Sequence, residues 1–372
     1  MKKMMKKIVT SAVAVAMLAT SALGLVSCGG NDKTAIMIGG SGPLTGDAAS
    51  YGISVQQGAA LAVKHLNEKD GLKFTLEMKD DQCDPEEAKN NYMLLADAGM
   101  QVSLGGVTSG AGEAFAKAAN ADHIFCMTPS GSADSVIKDV KYSFRLCFGD
   151  PDQGTLAADK IKATGYAKVG AIYDVSDPYS SGIYAAFKDQ MAANGIQYTE
   201  ATFDAESKVD FSSQAESLKD CDVVFMPFYY TEASLFIKAS VAKGSSAVFF
   251  GCDGFDGIAS YIDGVSNKIM YITPFDAAAT DEQTTAFVAA YKAEYNTTPD
   301  QFAADAYDVV MVFAAAMAKA GVTDVNIDPA ELGDILLNTI TASDFSYDGL
   351  TGVMTWDASG ACTKEPNIVE LN

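Results

Sequence analysis

Val102-Ser103-Leu104-Gly105-Gly106-Val107-Thr108-Ser109-Gly110 and Ile124-Phe125-Cys126-Met127-Thr128-Pro129-Ser130-Gly131-Ser132 follow one plan, with a helix-forming run over 111–119 between them. Each begins as a short apolar run of the kind that makes a buried strand, then stops in a loop of small and hydroxyl residues. Small residues let a ligand approach the main chain closely, and hydroxyls with free N–H groups at a helix start are suited to holding an anion. In an open α/β sheet, ligands sit outside the carboxyl ends of the strands. Either loop alone reads as a helix cap or a turn. Two in succession, opening onto one edge of a sheet, point to a site.

Outward from this stretch the α/β alternation continues in both directions. Residues 35–38 form a short strand closed by Gly39-Gly40-Ser41-Gly42-Pro43, and 51–67 carry helical spacing with Val55, Ala59, Ala62, Val63 and Leu66 on one face. A strand over 74–78 follows. Asp84-Pro85-Glu86-Glu87 is a helix start of N-cap, proline and first-turn acids, and its helix runs to about Ala98. Four βα steps predict a parallel sheet covered on both faces. Beyond 145–150 the pattern restarts, with strands over 169–173, 196–202, 223–226, 248–250 and 269–273 and helices over 184–191, 212–219 and 232–243 between the first four. After Pro274 come three helical runs, 281–295, 303–320 and 330–338, without a sheet of their own, so they are expected to return to the first unit. Residues 350–356 and 368–371 read as late edge strands.

Length and composition agree with this plan. A chain of 372 residues suggests two domains, and 48% apolar with 20% charged residues describes a globular body. The formal charge of −22 argues against nucleic acid or an anionic membrane face as partner. Residues 1–27 read as a targeting segment, with Lys2, Lys3, Lys6 and Lys7 at its basic end and an apolar run over 8–26. That run is nearly long enough to span a membrane. Leu25-Val26-Ser27-Cys28-Gly29 decides against a span, because it resembles the lipobox of bacterial lipoproteins, in which the cysteine is lipidated and becomes the mature N-terminus. Residues 28–33 then form the lipidated cysteine and a short tether. Six further cysteines show no Cys-x-x-Cys spacing, which leaves zinc without support and any pairing open; Cys126, Cys147 and Cys221 lie in or beside apolar runs as small core residues.

Catalytic patterns are missing. His65 and His123 have no partner pattern and read as structural. There is no nucleophile elbow, no His-Glu-x-x-His, no Walker loop and no complete dinucleotide fingerprint, since Phe115 stands at its third glycine. Asp253-Gly254-Phe255-Asp256-Gly257 begins like a calcium loop, but Phe255 occupies a ligand position. No cofactor or metal is expected, and the chain does not read as an enzyme.

From Thr34 to Leu371 the chain resembles the bacterial leucine/isoleucine/valine-binding proteins, type I substrate-binding proteins of ABC importers. The matching stretches are Ser41-Gly42-Pro43 with Tyr51-Gly52, Asp81-Gln82-Cys83-Asp84-Pro85, Thr128-Pro129-Ser130, Asp152-Gln153-Gly154, Phe249-Phe250-Gly251 with Asp253-Gly254, and 350–357 with Gly360. The resemblance implies two doubly wound α/β lobes with parallel-rich sheets, joined by three crossings. It divides the chain into 34–148 with 276–352 for lobe one and 149–275 with 353–372 for lobe two. It implies that Ser109 and Ser132 hold a ligand carboxylate and that Asp253 faces the ligand ammonium, one methylene shorter than the family's glutamate. Ser130 enters through its backbone carbonyl, Tyr229 lines the same pocket, and Tyr51, Tyr179 and Phe302 lie near the ligand side chain. Read singly, Asp253 is a turn residue and Tyr229 and Phe302 are core aromatics. One departure stands out: the family's disulfide partner for Cys83 is here Thr108, so that bridge cannot form.

The expectation is a lipid-anchored receptor, exported to the outer face of the membrane or the periplasm. It captures a small, branched-chain-like amino acid and delivers it to an ABC importer permease. The rivals are the same fold with an amide, an aromatic acid or a short peptide, and a surface lipoprotein enzyme.

Overall fold

The computed structural model describes residues 33–364 and 366–371; the expected leader and Cys28 lie outside the described residues. The first unit runs β1 (Ile36–Gly42), α1 (Ala49–Asn67), β2 (Phe74–Asp80), α2 (Pro85–Asp97), β3 (Val102–Gly106), α3 (Ser109–Ala121), β4 (Cys126–Thr128) and β5 (Ser143–Arg145). Its five strands pair in parallel in the order β2-β1-β3-β4-β5. Local chemistry accounts for the boundaries. Asp84 caps α2, accepting from the amides of Glu86 and Glu87, and Pro85 opens the first turn without needing a partner. β1 runs on through the glycines expected to end it, pairing Gly39–Gly42 with Glu77–Asp80. A ladder uses only main-chain groups, and Met100 and Met78 fill the space that side chains at Gly39 and Gly40 would need.

The second unit runs α4 (Asp150–Thr164), β6 (Val169–Asp174), α5 (Pro178–Ala193), β7 (Tyr198–Phe203), α6 (Ser212–Leu218), β8 (Val223–Met226), α7 (Tyr230–Ala242), β9 (Val248–Gly251) and β10 (Ile269–Thr273). Strands β3, β8 and β10 are buried at every position, as sheets covered on both faces require. The chain then forms α8 (Glu282–Tyr295), α9 (Gln301–Ala320), α10 (Pro329–Ile340), β11 (Tyr347–Gly349), β12 (Gly352–Trp356), β13 (Cys362–Thr363) and β14 (Asn367–Glu370). The late helices pack on the first unit as expected. At Gly58 of α1, a Cβ would lie 2.0 Å from the Ala303 carbonyl of α9, so the two helices touch backbone to backbone.

The C-terminal segment departs from expectation. Strand β14 does form an edge, antiparallel on β10, giving the order β14-β10-β9-β8-β6-β7. Residues 350–356 do not extend either large sheet; β12 pairs with β11 and β13 in a small antiparallel sheet. That sheet stays with the first unit. Trp356 Nε1 donates to the Arg145 carbonyl at 2.9 Å, Arg145 N donates to the Gly360 carbonyl at 3.0 Å, and Lys364 Nζ donates to Asp305 at 2.7 Å. Residues 353–364 thus bond to the first unit, and β14 pairs with β10 of the second sheet. The chain passes between the sheets after β5, after β10 and after β13.

Candidate functional site

The carboxyl ends of both parallel sheets face each other across a cleft, and seven loop or helix-start segments meet there. On one side the loop after β3 carries Val107, Thr108 and Ser109, and the loop after β4 carries Ser130. The two loops are tied together: Thr128 Oγ1 donates to the Gly106 carbonyl at 2.7 Å, and Ser130 Oγ donates to the Val107 carbonyl at 2.7 Å. Ser109 Oγ accepts from the Ala133 amide at 3.2 Å, leaving its own proton for another acceptor. On the other side, Asp253 opens a 3-10 turn after β9, Tyr229 caps the start of α7, and Tyr179 sits in the first turn of α5. Tyr51 comes from α1 and Phe302 from the first turn of α9.

Seven of the eight residues expected at the site line one narrow cavity: Tyr51, Ser109, Ser130, Tyr179, Tyr229, Asp253 and Phe302, together with Val107, Thr108 and Gly254. Its volume of about 10 Å³ is room for roughly one water molecule. The rings form a continuous wall. Tyr51 packs on Phe302 at 4.4 Å and on Tyr229 at 5.7 Å between centroids, and Tyr229 stacks on Tyr179 at 5.0 Å. Tyr51 also bridges the cleft, its hydroxyl donating to the Gly254 carbonyl and accepting from the Tyr230 amide.

Asp253 is the one ionisable acid in the lining. Its Oδ1 accepts from Tyr179 OH at 2.6 Å and from the Gly254 amide at 2.9 Å. Gln153 and Gln301 hold its backbone, Gln153 Oε1 taking the Asp253 amide at 3.0 Å and Gln301 Nε2 donating to its carbonyl at 2.6 Å. Burial pushes its carboxyl up to about 6, against the pull of those hydrogen bonds. Tyr179 thus orients the acid as well as adding aromatic wall, a role its aromatic character alone did not suggest.

Ser132 departs from expectation. It is fully buried and does not line the cavity; its carbonyl accepts from Arg145 Nη1 at 2.9 Å and from the Asp150 amide at 3.1 Å, and its hydroxyl faces the Asp150 carboxylate. The loop turns away after Ser130, so Ser132 belongs to the first crossing. Sequence reading also missed Asp150, whose buried carboxylate faces the Ser132 hydroxyl at that crossing, where burial pushes its carboxyl well up. The signal was present: Asp150 stands immediately before Pro151 and the matching stretch Asp152-Gln153-Gly154. All six described cysteines, Cys83 among them, are free, so the loop carrying Ser109 is held by the hydrogen bonds above.

Two α/β lobes with their strand ends across a cleft, three crossings, and a buried polar and aromatic lining define a type I solute-binding protein. Residues 35–361 match the periplasmic binding protein family, and the chain belongs to it. It is 29% identical over 294 residues to a Leu/Ile/Val-binding protein of Rhizobium johnstonii, covering 77% of this chain and 80% of that one. Its fold is similar to that of a leucine-binding protein from Thermotoga maritima, with a TM-score of 0.80, 24% identity and coverage of 90% and 94%. It is equally similar to a solute-binding protein of an ABC transporter from R. palustris in complex with benzoate, with a TM-score of 0.80, 22% identity and coverage of 91% and 93%.

Proposed function

We propose that the cleft captures a small amino acid as its zwitterion and hands it to an ABC importer. The observation that carries this reading is the lining: it contains the buried carboxylate of Asp253 and no lysine or arginine. A buried charge needs a partner. An aromatic monocarboxylate such as benzoate would bring a second negative charge beside Asp253 with no cation to offset it. An α-amino acid brings an ammonium to Asp253 and a carboxylate to Ser109 and the amides at the start of α3. In this reading 34–148 with 276–364 move as one lobe against 149–275 with β14, the leader 1–27 is removed, and lipid on Cys28 holds the receptor at the membrane surface.

A thermal-shift screen of the mature protein against amino acids, amides and aromatic acids tests the assignment. At about 100 times its dissociation constant the right ligand stabilises by roughly 2.7 kcal/mol, a shift of a few degrees. Stabilisation by benzoate and not by any amino acid sinks the zwitterion reading. Chemical conversion of a stabilising compound on prolonged incubation would instead favour the enzyme alternative.

A further inference from the structure

Thr108 is the N-cap of α3, with φ −89° and ψ 153°, yet its hydroxyl makes no capping bond. An N-cap threonine ordinarily accepts from the amide two or three residues on. Asp84, Asp281, Asp300 and Asp328 all do so at their own helices. Thr108 is 6% exposed and lines the cavity, and its Oγ1 is buried with no hydrogen-bond partner. The Cys83 thiol stands within weak hydrogen-bonding reach, but a thiol is a weak donor and a weak acceptor and leaves the hydroxyl under-satisfied. Four other hydroxyls of the lining have partners: Ser130 to Val107, Tyr51 to Gly254, Tyr179 to Asp253, and Ser109 as acceptor from Ala133.

A buried hydroxyl without a partner is costly, and a site that keeps one rejects a ligand that leaves it unpaired. In the amino-acid reading the ligand carboxylate has Ser109 and the α3 amides, and its ammonium has Asp253. The Thr108 hydroxyl then requires a third polar atom, and an amino acid has one only on its side chain. Thr108 directly precedes Ser109 and the α3 amides assigned to the carboxylate, so the atom it meets lies close to the ligand main chain, as a β-hydroxyl does. We infer that Thr108 hydrogen-bonds a hydroxyl on the ligand side chain, so that the preferred ligands are the short hydroxyl amino acids, threonine and serine, ahead of their isosteres valine and alanine. This deepens the proposed function and rests on it.

The test is calorimetric titration of the mature protein with the matched pairs threonine/valine and serine/alanine, repeated with Thr108→Val and Thr108→Ser. Threonine is expected to bind at least about tenfold more tightly than valine. Thr108→Val is expected to collapse that ratio to near one, while Thr108→Ser, which keeps the hydroxyl, preserves it. Valine binding as tightly as threonine in the wild type overturns the inference. So does an equal loss for both ligands in Thr108→Val, which would put the hydroxyl on the shared carboxylate. Both of those outcomes leave the amino-acid reading standing. Absence of binding by any amino acid overturns the two together.

Discussion

At Asp253 the chemistry of a single carboxyl sets opposite trends for stability and for binding. Its pKa is about 6 in the folded protein, above the roughly 3.9 of an unfolded aspartate. The folded state therefore holds the proton more tightly. This residue's contribution to ligand-free stability is fully present below pH 3.9 and is lost as pH rises through about 6. Ammonium binding needs the ionised form, so affinity runs the other way. It is level above pH 7 and falls about tenfold for each pH unit below 6, measured by titration between pH 4.5 and 8, and Asp253→Asn is expected to abolish that slope. Asp253→Ala leaves the ligand ammonium buried without a counter-charge and is expected to cost on the order of 3–5 kcal/mol, two to three and a half decades in affinity. Ser109→Ala removes one hydrogen bond to a charged group and costs less, about 1.5–3 kcal/mol. If Asp253→Ala binds the best ligand as tightly as wild type, the zwitterion assignment fails.

Two places show elements holding one another through single groups. Lys364, between β13 and β14, donates to Asp305 of α9 at 2.7 Å and to Thr351 Oγ1 at 2.6 Å, and the side chains of the ion pair are only 1% and 3% exposed. Asp308, one turn along α9, accepts from the Leu350 and Thr351 amides. The third crossing is thus tied to α9 by charge inside the protein. Lys364→Met strands the Asp305 carboxylate and is expected to destabilise the fold by about 3–5 kcal/mol, whereas Asp305→Leu with Lys364→Met recovers much of that loss. Urea unfolding of the single and double variants measures both. At the α1–α9 contact, Gly58→Ala drives a methyl into the Ala303 carbonyl. Prising the helices apart is expected to cost about 1–3 kcal/mol, read as a lowered urea midpoint at unchanged m-value.

On the scale of the whole molecule, the lobes are joined by bonds that no ligand makes. Tyr230 OH and Thr231 Oγ1, at the start of α7, both donate to the Asp47 carbonyl across the cleft at 2.8 Å, beside the bridge made by Tyr51. Each is worth roughly 0.5–1.5 kcal/mol net. The pair Tyr230→Phe with Thr231→Val is expected to weaken ligand binding by about tenfold or more, because affinity falls with the fraction of closed protein. Small-angle scattering reads the cause directly. Wild type contracts when ligand is added, the variant is more extended without ligand, and both reach the same radius at saturation. An unchanged radius in wild type on adding saturating ligand contradicts closure. Cys28→Ala is expected to free the protein from the membrane fraction without altering its melting temperature, since the body begins at Thr34; wild-type protein whose N-terminus carries no lipid by mass spectrometry contradicts the anchor.

Element order was legible because it is local: caps such as Asp84, apolar runs such as 223–226 and small-residue loops after β3 and β4 each act within a few residues. The cleft membership of Ser109, Ser130, Asp253 and the four aromatic residues was legible too, through stretches whose order and spacing match a family. What only the tertiary structure decided is how side chains from distant segments meet. Ser132 and Ser130 are two residues apart and look interchangeable in sequence, but the turn after Ser130 sends one to the cavity and the other to the first crossing. That Tyr179 grips Asp253, that Asp150 is buried against Ser132 and Thr108 against Cys83, and that 353–364 bond to the first unit all depend on contacts between residues tens to hundreds apart. A side chain's type and its neighbours in the chain set its capacity for hydrogen bonds; whether a partner arrives is decided by packing, which local sequence does not encode.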